Sequence, residues 1–144
     1  MEQKDYLMRE IEKIGLVLRA VIGKLLNTAE IQAFPAEDQT KKIKEMFLDE
    51  TGFNMNAYLI LNETDSDEYL LQFKGMNTVN CEMLADIMVQ FGNREQPVTN
   101  RVYFEKALQL YAFCKKTDRT YSFDRERKIL EIIKQTENHD PHLH

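Results

Sequence analysis

Six apolar residues, Leu7, Ile11, Ile14, Leu18, Val21 and Leu25, recur at alternating steps of four and three without a break. A heptad seam of this kind commits the segment from about Gln3 to Asn27 to an α-helix with one face that must be covered. Met8, Ile22 and Leu26 widen the stripe, and Arg9, Lys13 and Lys24 fall opposite it. Leu16 and Val17 break the pattern by lying on the polar side. The middle of the helix is therefore apolar nearly all round, which predicts cover on two sides, either within the chain or from a partner.

The rest of the 144 residues follows the helical period. Five Gly and three Pro are few, whereas a β-rich domain of this length needs frequent turn residues. Pro35 suits the first turn of a second helix, which Gly52 stops. Tyr58 to Leu61 reads as a short helix, because no second strand is present to pair with it. A helix over Ser66–Lys74 follows, with Thr64 or Asp65 as its cap. The next runs from a cap at Thr78 to a stop at Gly92 and Asn93. A longer one spans Pro97–Lys116 and turns Val102, Tyr103, Ala107, Leu110, Tyr111 and Cys114 inward. Ser122 caps a last helix that buries Ile129, Leu130 and Ile133. The expected architecture is all-α: a long N-terminal amphipathic helix packed on a stack of repeat-like helical hairpins. Residues 1–138 form one domain in this reading, and 139–144 form a flexible tail.

Tyr103-Phe104-Glu105-Lys106-Ala107-Leu108-Gln109-Leu110-Tyr111 resembles the second helix of a tetratricopeptide repeat. That resemblance implies that Ala107 admits a close helix neighbour and that Tyr111 packs on the next unit. Leu84-Ala85 resembles the small-residue contact of a preceding first helix. The Trp and Gly of the repeat are absent, and no second copy superimposes at its period. The opening Asp5-Tyr6-Leu7-Met8-Arg9-Glu10-Ile11-Glu12 resembles the start of a family of small bacterial helical proteins, which brings no activity with it.

The sequence is poor in chemistry. Its three histidines, His139, His142 and His144, all lie in the tail, so none is available for a Ser-His-Asp or Cys-His arrangement within the fold. The glycines are scattered and form no phosphate loop. Asp65, Asp67 and Glu68 lack the Gly and the final Glu of a calcium loop. Cys81 and Cys114 stand apart and read as small buried hydrophobes. No cofactor and no metal are expected.

The net charge of −5 argues against bulk attraction to nucleic acid or anionic lipid. It is unevenly spread. Residues 28–96 carry 5 basic and 13 acidic side chains, and residues 101–128 carry 8 basic and 4 acidic ones. The bland explanation is two solvated faces; pairing with a second copy is another. Met1–Asp5 has the wrong charge for a secretory leader, and Arg19 and Lys24 interrupt the longest apolar stretch. A cytoplasmic location without membrane contact is the expectation.

Two functional readings follow. The first is a non-enzymatic interaction module that self-associates as a homodimer through the first helix, with Leu16, Val17, Arg9 and Lys13 at the interface. The alternative is a small-molecule-binding protein, or an enzyme without a motif, with a groove lined by Tyr58, Tyr69, Arg101, Tyr103 and Tyr111.

Overall fold

A computed structural model describes residues 2–27, 36–119 and 121–138, without the side chains of residues 2, 36, 37 and 138. The described residues form helices and connections, with no strand. The helices are α1 (Glu2–Leu26), α2 (Ala36–Thr51), α3 (Met55–Leu59), α4 (Glu63–Leu71), α5 (Thr78–Arg94), α6 (Arg101–Thr117) and α7 (Phe123–Asn138). The chain is all-α, as its periodicity predicts.

The α5–α6 hairpin is the centre of the fold. Small residues let its helices approach: Ala85 and Ala107 are fully buried, and a Cβ on Gly92 would stand 2.7 Å from the Phe104 ring. α1 packs on α5, α7 on α6, and α2 on α1, while α3 bridges α2 and α6. One contiguous apolar core draws residues from all seven helices.

The α1 seam is covered from Ile14 to Leu25, where Leu18 and Val21 are fully buried. The cover stops short of the N-terminal turns: Ile11 is half-buried and Leu7 is 40% exposed. Arg94 fixes the other end of α1 by donating to the Leu25 carbonyl at 2.8 Å and to Gln39 of α2 at 2.9 Å. Those bonds satisfy a terminal helix carbonyl that the helix cannot satisfy itself.

Several boundaries differ from the sequence reading, for local reasons. The caps of α4 and α5 are Asn62 and Asn77, not Thr64, Asp65 or Thr78. Each asparagine oxygen accepts the backbone N–H three residues on, a reach that fixes the helix start. α5 runs through Gly92 and Asn93 to Arg94, because Gly92 is needed to seat Phe104 rather than to stop the helix. α6 begins at Arg101 after a turn over 97–100, and this leaves Val102 exposed. Gly52 does end α2, with a φ of +79°. Ser122 does cap α7, accepting from the Arg125 N–H at 3.2 Å.

α7 is rotated from its expected face. Ile132 is buried, Ile129 is half-buried, and Leu130 is 58% exposed. Arg125 and Lys128 set that rotation. Arg125 Nε donates to Glu82 of α5 at 2.7 Å, and Lys128 pairs with Asp86 of α5 at 3.1 Å. Both acceptors lie on one side of α7, so Ile132 shares the inward face and Leu130 does not.

Candidate functional site

Of the interaction residues expected on α1, Arg9, Lys13 and Leu16 lie on its exposed outer face. Leu16 is 63% exposed, and Arg9, Glu12, Lys13, Arg19, Ala20 and Gly23 are exposed around it. At 100° per residue, Leu16, Ala20 and Gly23 form a narrow apolar strip with charges on both flanks. Val17 does not belong to it. It is half-buried and packs against the core, so the cover expected for Val17 comes from within the chain. A Cβ on Gly23 would meet nothing within 4 Å, so this position faces open space. Gly15, by contrast, borders the buried Asn80, whose Oδ1 would stand 3.2 Å from an added Cβ.

The predicted groove residues are divided among three places. Tyr58 and Tyr69 come together, with ring centroids 6.1 Å apart, inside an aromatic cluster with Phe47, Phe53 and Phe73. Tyr103 lies against Phe91 and accepts from Lys44 Nζ at 2.8 Å, beside an open polar hollow of about 510 Å³. Tyr111 forms part of a hollow of about 310 Å³ between α1, α5 and α7, lined also by Ile22, Leu26 and Val89. Arg101 is exposed and lines neither hollow. No single tyrosine-lined groove results.

Most of the polar groups inside the fold among the described residues are bonded to one another. Tyr111 donates to Asp86 at 2.5 Å, and Asp86 is also held by Lys128. Burial, and then that hydrogen bond, push the Tyr111 phenol above its ordinary range. Burial likewise raises Tyr58, whose hydroxyl has no hydrogen-bond partner among the described residues. Lys106 is 3% exposed and donates to the Leu61 carbonyl, to Ser66 and to Gln109. Its ammonium also lies over the Tyr58 ring, 4.7 Å from the centroid. Burial pulls this lysine below its usual value. Ser66 is fully buried, so the Ser66–Lys106 contact offers a substrate no approach and instead locks α4 to α6. Among the described residues no group of three His, Cys, Asp or Glu side chains could hold a metal, and no helix is long and apolar enough to cross a membrane. His139, His142 and His144 lie outside the described residues.

Three acidic residues of the 28–96 segment, Asp67, Glu82 and Asp86, pair with basic side chains of the 101–128 segment. Lys116 pairs with Asp67 at 2.6 Å, Lys115 with Glu126 at 2.8 Å, and Arg127 with Asp124 at 2.7 Å, in addition to the Arg125 and Lys128 pairs. Sequence reasoning missed Glu82 and Asp86 as the acceptors of α7. Local spacing carries no signal for partners about forty residues away.

The two raised phenols make a testable prediction. Unfolded tyrosine ionises near pH ~10. Above that pH the unfolded chain sheds the Tyr58 and Tyr111 protons while the folded chain keeps them, so stability falls as pH rises. The expected slope is about 1.4 kcal/mol per pH unit for each phenol. Denaturant titrations from pH 9 to 11.5, with phenolate absorbance followed in parallel, should show two phenolates appearing only on unfolding. Tyr111→Phe should remove one of them. Smooth titration of every tyrosine in the folded protein would rule the prediction out.

Comparison of the chain with protein-family models, with curated proteins and with solved structures gives no match.

Proposed function

We propose that this protein is a non-enzymatic helical interaction module that self-associates through the outer face of α1. The observation that carries the reading is Leu16, a leucine 63% exposed in the middle of α1, on one strip with the small residues Ala20 and Gly23 and flanked by charges of both signs. The closely packed α5–α6 hairpin, with Ala85 and Ala107 in its seam, supports the repeat-like part of the reading.

A two-fold, antiparallel pairing of α1 with a second copy fits this face. With Leu16 meeting its own copy on the axis, Glu12 lies opposite Arg19 of the other helix, twice by symmetry. Arg9 then crosses Gly23, and Lys13 lies over Ala20. A single helix pair is small beside a standard interface, so the dimer is a micromolar one, with a dissociation constant on the order of 10 μM.

Sedimentation across that range is the test. Wild type should shift from monomer to dimer, and Leu16→Glu should stay monomeric with an unchanged melting temperature. Glu12→Arg and Arg19→Glu should each weaken association about tenfold, the scale of a like-charge contact at an interface rim. The double exchange should restore it. A wild type that is monomeric at hundreds of micromolar (roughly ten times that dissociation constant) would sink self-association. A dimer indifferent to all four variants would move the interface to another face.

A further inference from the structure

The hollow of about 310 Å³ between α1, α5 and α7 is separate from the proposed interaction face. At 100° per residue, Ile22 and Leu26 point about 100° round α1 from the Leu16 strip. The walls of the hollow are of two kinds. Ile22 and Leu26 of α1 and Val89 of α5 line it with hydrocarbon, and Leu26 is 65% exposed. Asp86, Arg127, Lys128 and Glu131 bring charge to it, but as two acids and two bases, and these are paired with one another. Lys128 holds Asp86 at 3.1 Å, and Arg127 holds Glu131 at 2.9 Å. Tyr111 occupies Asp86 further by donating to it. An ion entering the hollow would therefore lose hydration without meeting a net charge of opposite sign. Gln90 stands apart from these pairs. It lines the hollow from α5, is half-buried, and its side chain has no hydrogen-bond partner among the described residues. Its amide offers donors and an acceptor side by side.

We propose that this hollow binds a neutral amphipathic small molecule, with a hydrocarbon body against Ile22, Leu26 and Val89 and one amide-like head on Gln90. The volume lies at the lower end of small-molecule sites, which run from roughly 300 to 1,000 Å³. The occupant is accordingly a single ring or a short branched chain with one polar group. Transfer of its hydrocarbon from water to the three aliphatic side chains supplies the affinity. A head that carries a donor beside an acceptor answers the Gln90 amide at both of its ends, and so fixes the orientation. A carboxylate would share the hollow with Asp86 and Glu131, and an ammonium with Arg127 and Lys128. Each ion meets like charge as well as opposite charge, so neither is favoured over water.

The test uses the full chain, with its methyl groups labelled for nuclear magnetic resonance, and three probes of one shape: phenylacetamide, phenylacetate and phenethylamine. Phenylacetamide should shift the Ile22, Leu26 and Val89 methyl signals saturably, with a dissociation constant on the order of 1 mM, as suits so small a ligand. The anion and the cation should bind about tenfold more weakly or worse, because each must shed hydration to enter. Gln90→Leu keeps the bulk of the wall and should weaken phenylacetamide about fivefold, the scale of one neutral hydrogen bond. Leu26→Glu changes an exposed position and should weaken it about tenfold, by setting a charge against the hydrocarbon body. Leu16→Glu should bind as wild type does, which separates this site from self-association. Absence of a saturable shift in those three methyls at about ten times the expected constant would overturn the proposal. Equal binding of either ion, or indifference to Gln90→Leu or to Leu26→Glu, would overturn it too.

Discussion

Phe53→Ala is expected to destabilise the protein by about 4 kcal/mol, at the upper end of large-to-small core substitutions. Phe53 is fully buried, and four rings surround it: Phe47 at 5.5 Å, Tyr58 at 5.3 Å, Tyr69 at 5.0 Å and Phe73 at 5.1 Å between centroids. Those rings come from α2, α3, α4 and the connection after α4, so none can collapse into the space without moving its own element. The loss combines transfer of the ring to solvent with the cavity left behind. The edge-to-face pairs add about 0.5–1.5 kcal/mol each beyond area. Phe53→Leu keeps most of the volume and should cost about half as much. Urea unfolding followed by circular dichroism reads both values. A cost under about 1 kcal/mol for the alanine variant, the level of an ordinary surface change, would show that the cluster is not the hub of this end of the core.

Gly75→Ala is the second large expectation, a loss of about 3 kcal/mol from a single added methyl. The new Cβ would stand 2.6 Å from the Glu10 carbonyl carbon and 2.8 Å from Ile14 Cδ1, and still closer to the Glu10 oxygen. The Ile14 methyl can rotate away, but the Glu10 backbone cannot. α1 would have to shift, which strains the hydrogen bonds from Asn80 Nδ2 to the Ile11 carbonyl at 3.0 Å and to the Gly75 carbonyl at 2.7 Å. Gly23→Ala is the control. Nothing lies within 4 Å of its added Cβ, so it should stabilise α1 by about 0.5–1 kcal/mol through helix propensity alone. If both variants melt with wild type, the close approach of α1 to the Gly75 turn is refuted.

These two residues also show how far the sequence could be read. Gly75 was legible as a helix end, but the helix stops at Leu71, and its glycine is required by a backbone sixty-five residues earlier in the chain. Phe53 lies in a connection after the Gly52 stop, where no periodicity marks a residue as inward. Leu16 was legible as an exception to the α1 stripe, and it is exposed. Its neighbour Val17 was equally an exception and packs inward, because two residues 100° apart on one helix can meet different neighbours. The tyrosines were legible as apolar-face residues. Their division between an aromatic cluster, a polar hollow and the Asp86 network depends on which helices meet, and spacing along the chain does not encode that.

The sequence by itself determined that this chain is helical, where most of its helices lie, and that one face of α1 is committed to a core. Those properties are local: they follow from the 3.6-residue period, from Gly and Ser at helix ends, and from the scarcity of turn residues. Only the tertiary structure decided that Arg125 and Lys128 are held by Glu82 and Asp86, which turns Leu130 outward and Ile132 inward. It alone decided that Cys114 donates to the Thr78 carbonyl across the α5–α6 seam, and that cover of the α1 seam ends before Leu7. Each of these is set by packing between segments far apart in the chain, where burial and ion pairing outweigh any preference that the residues express locally.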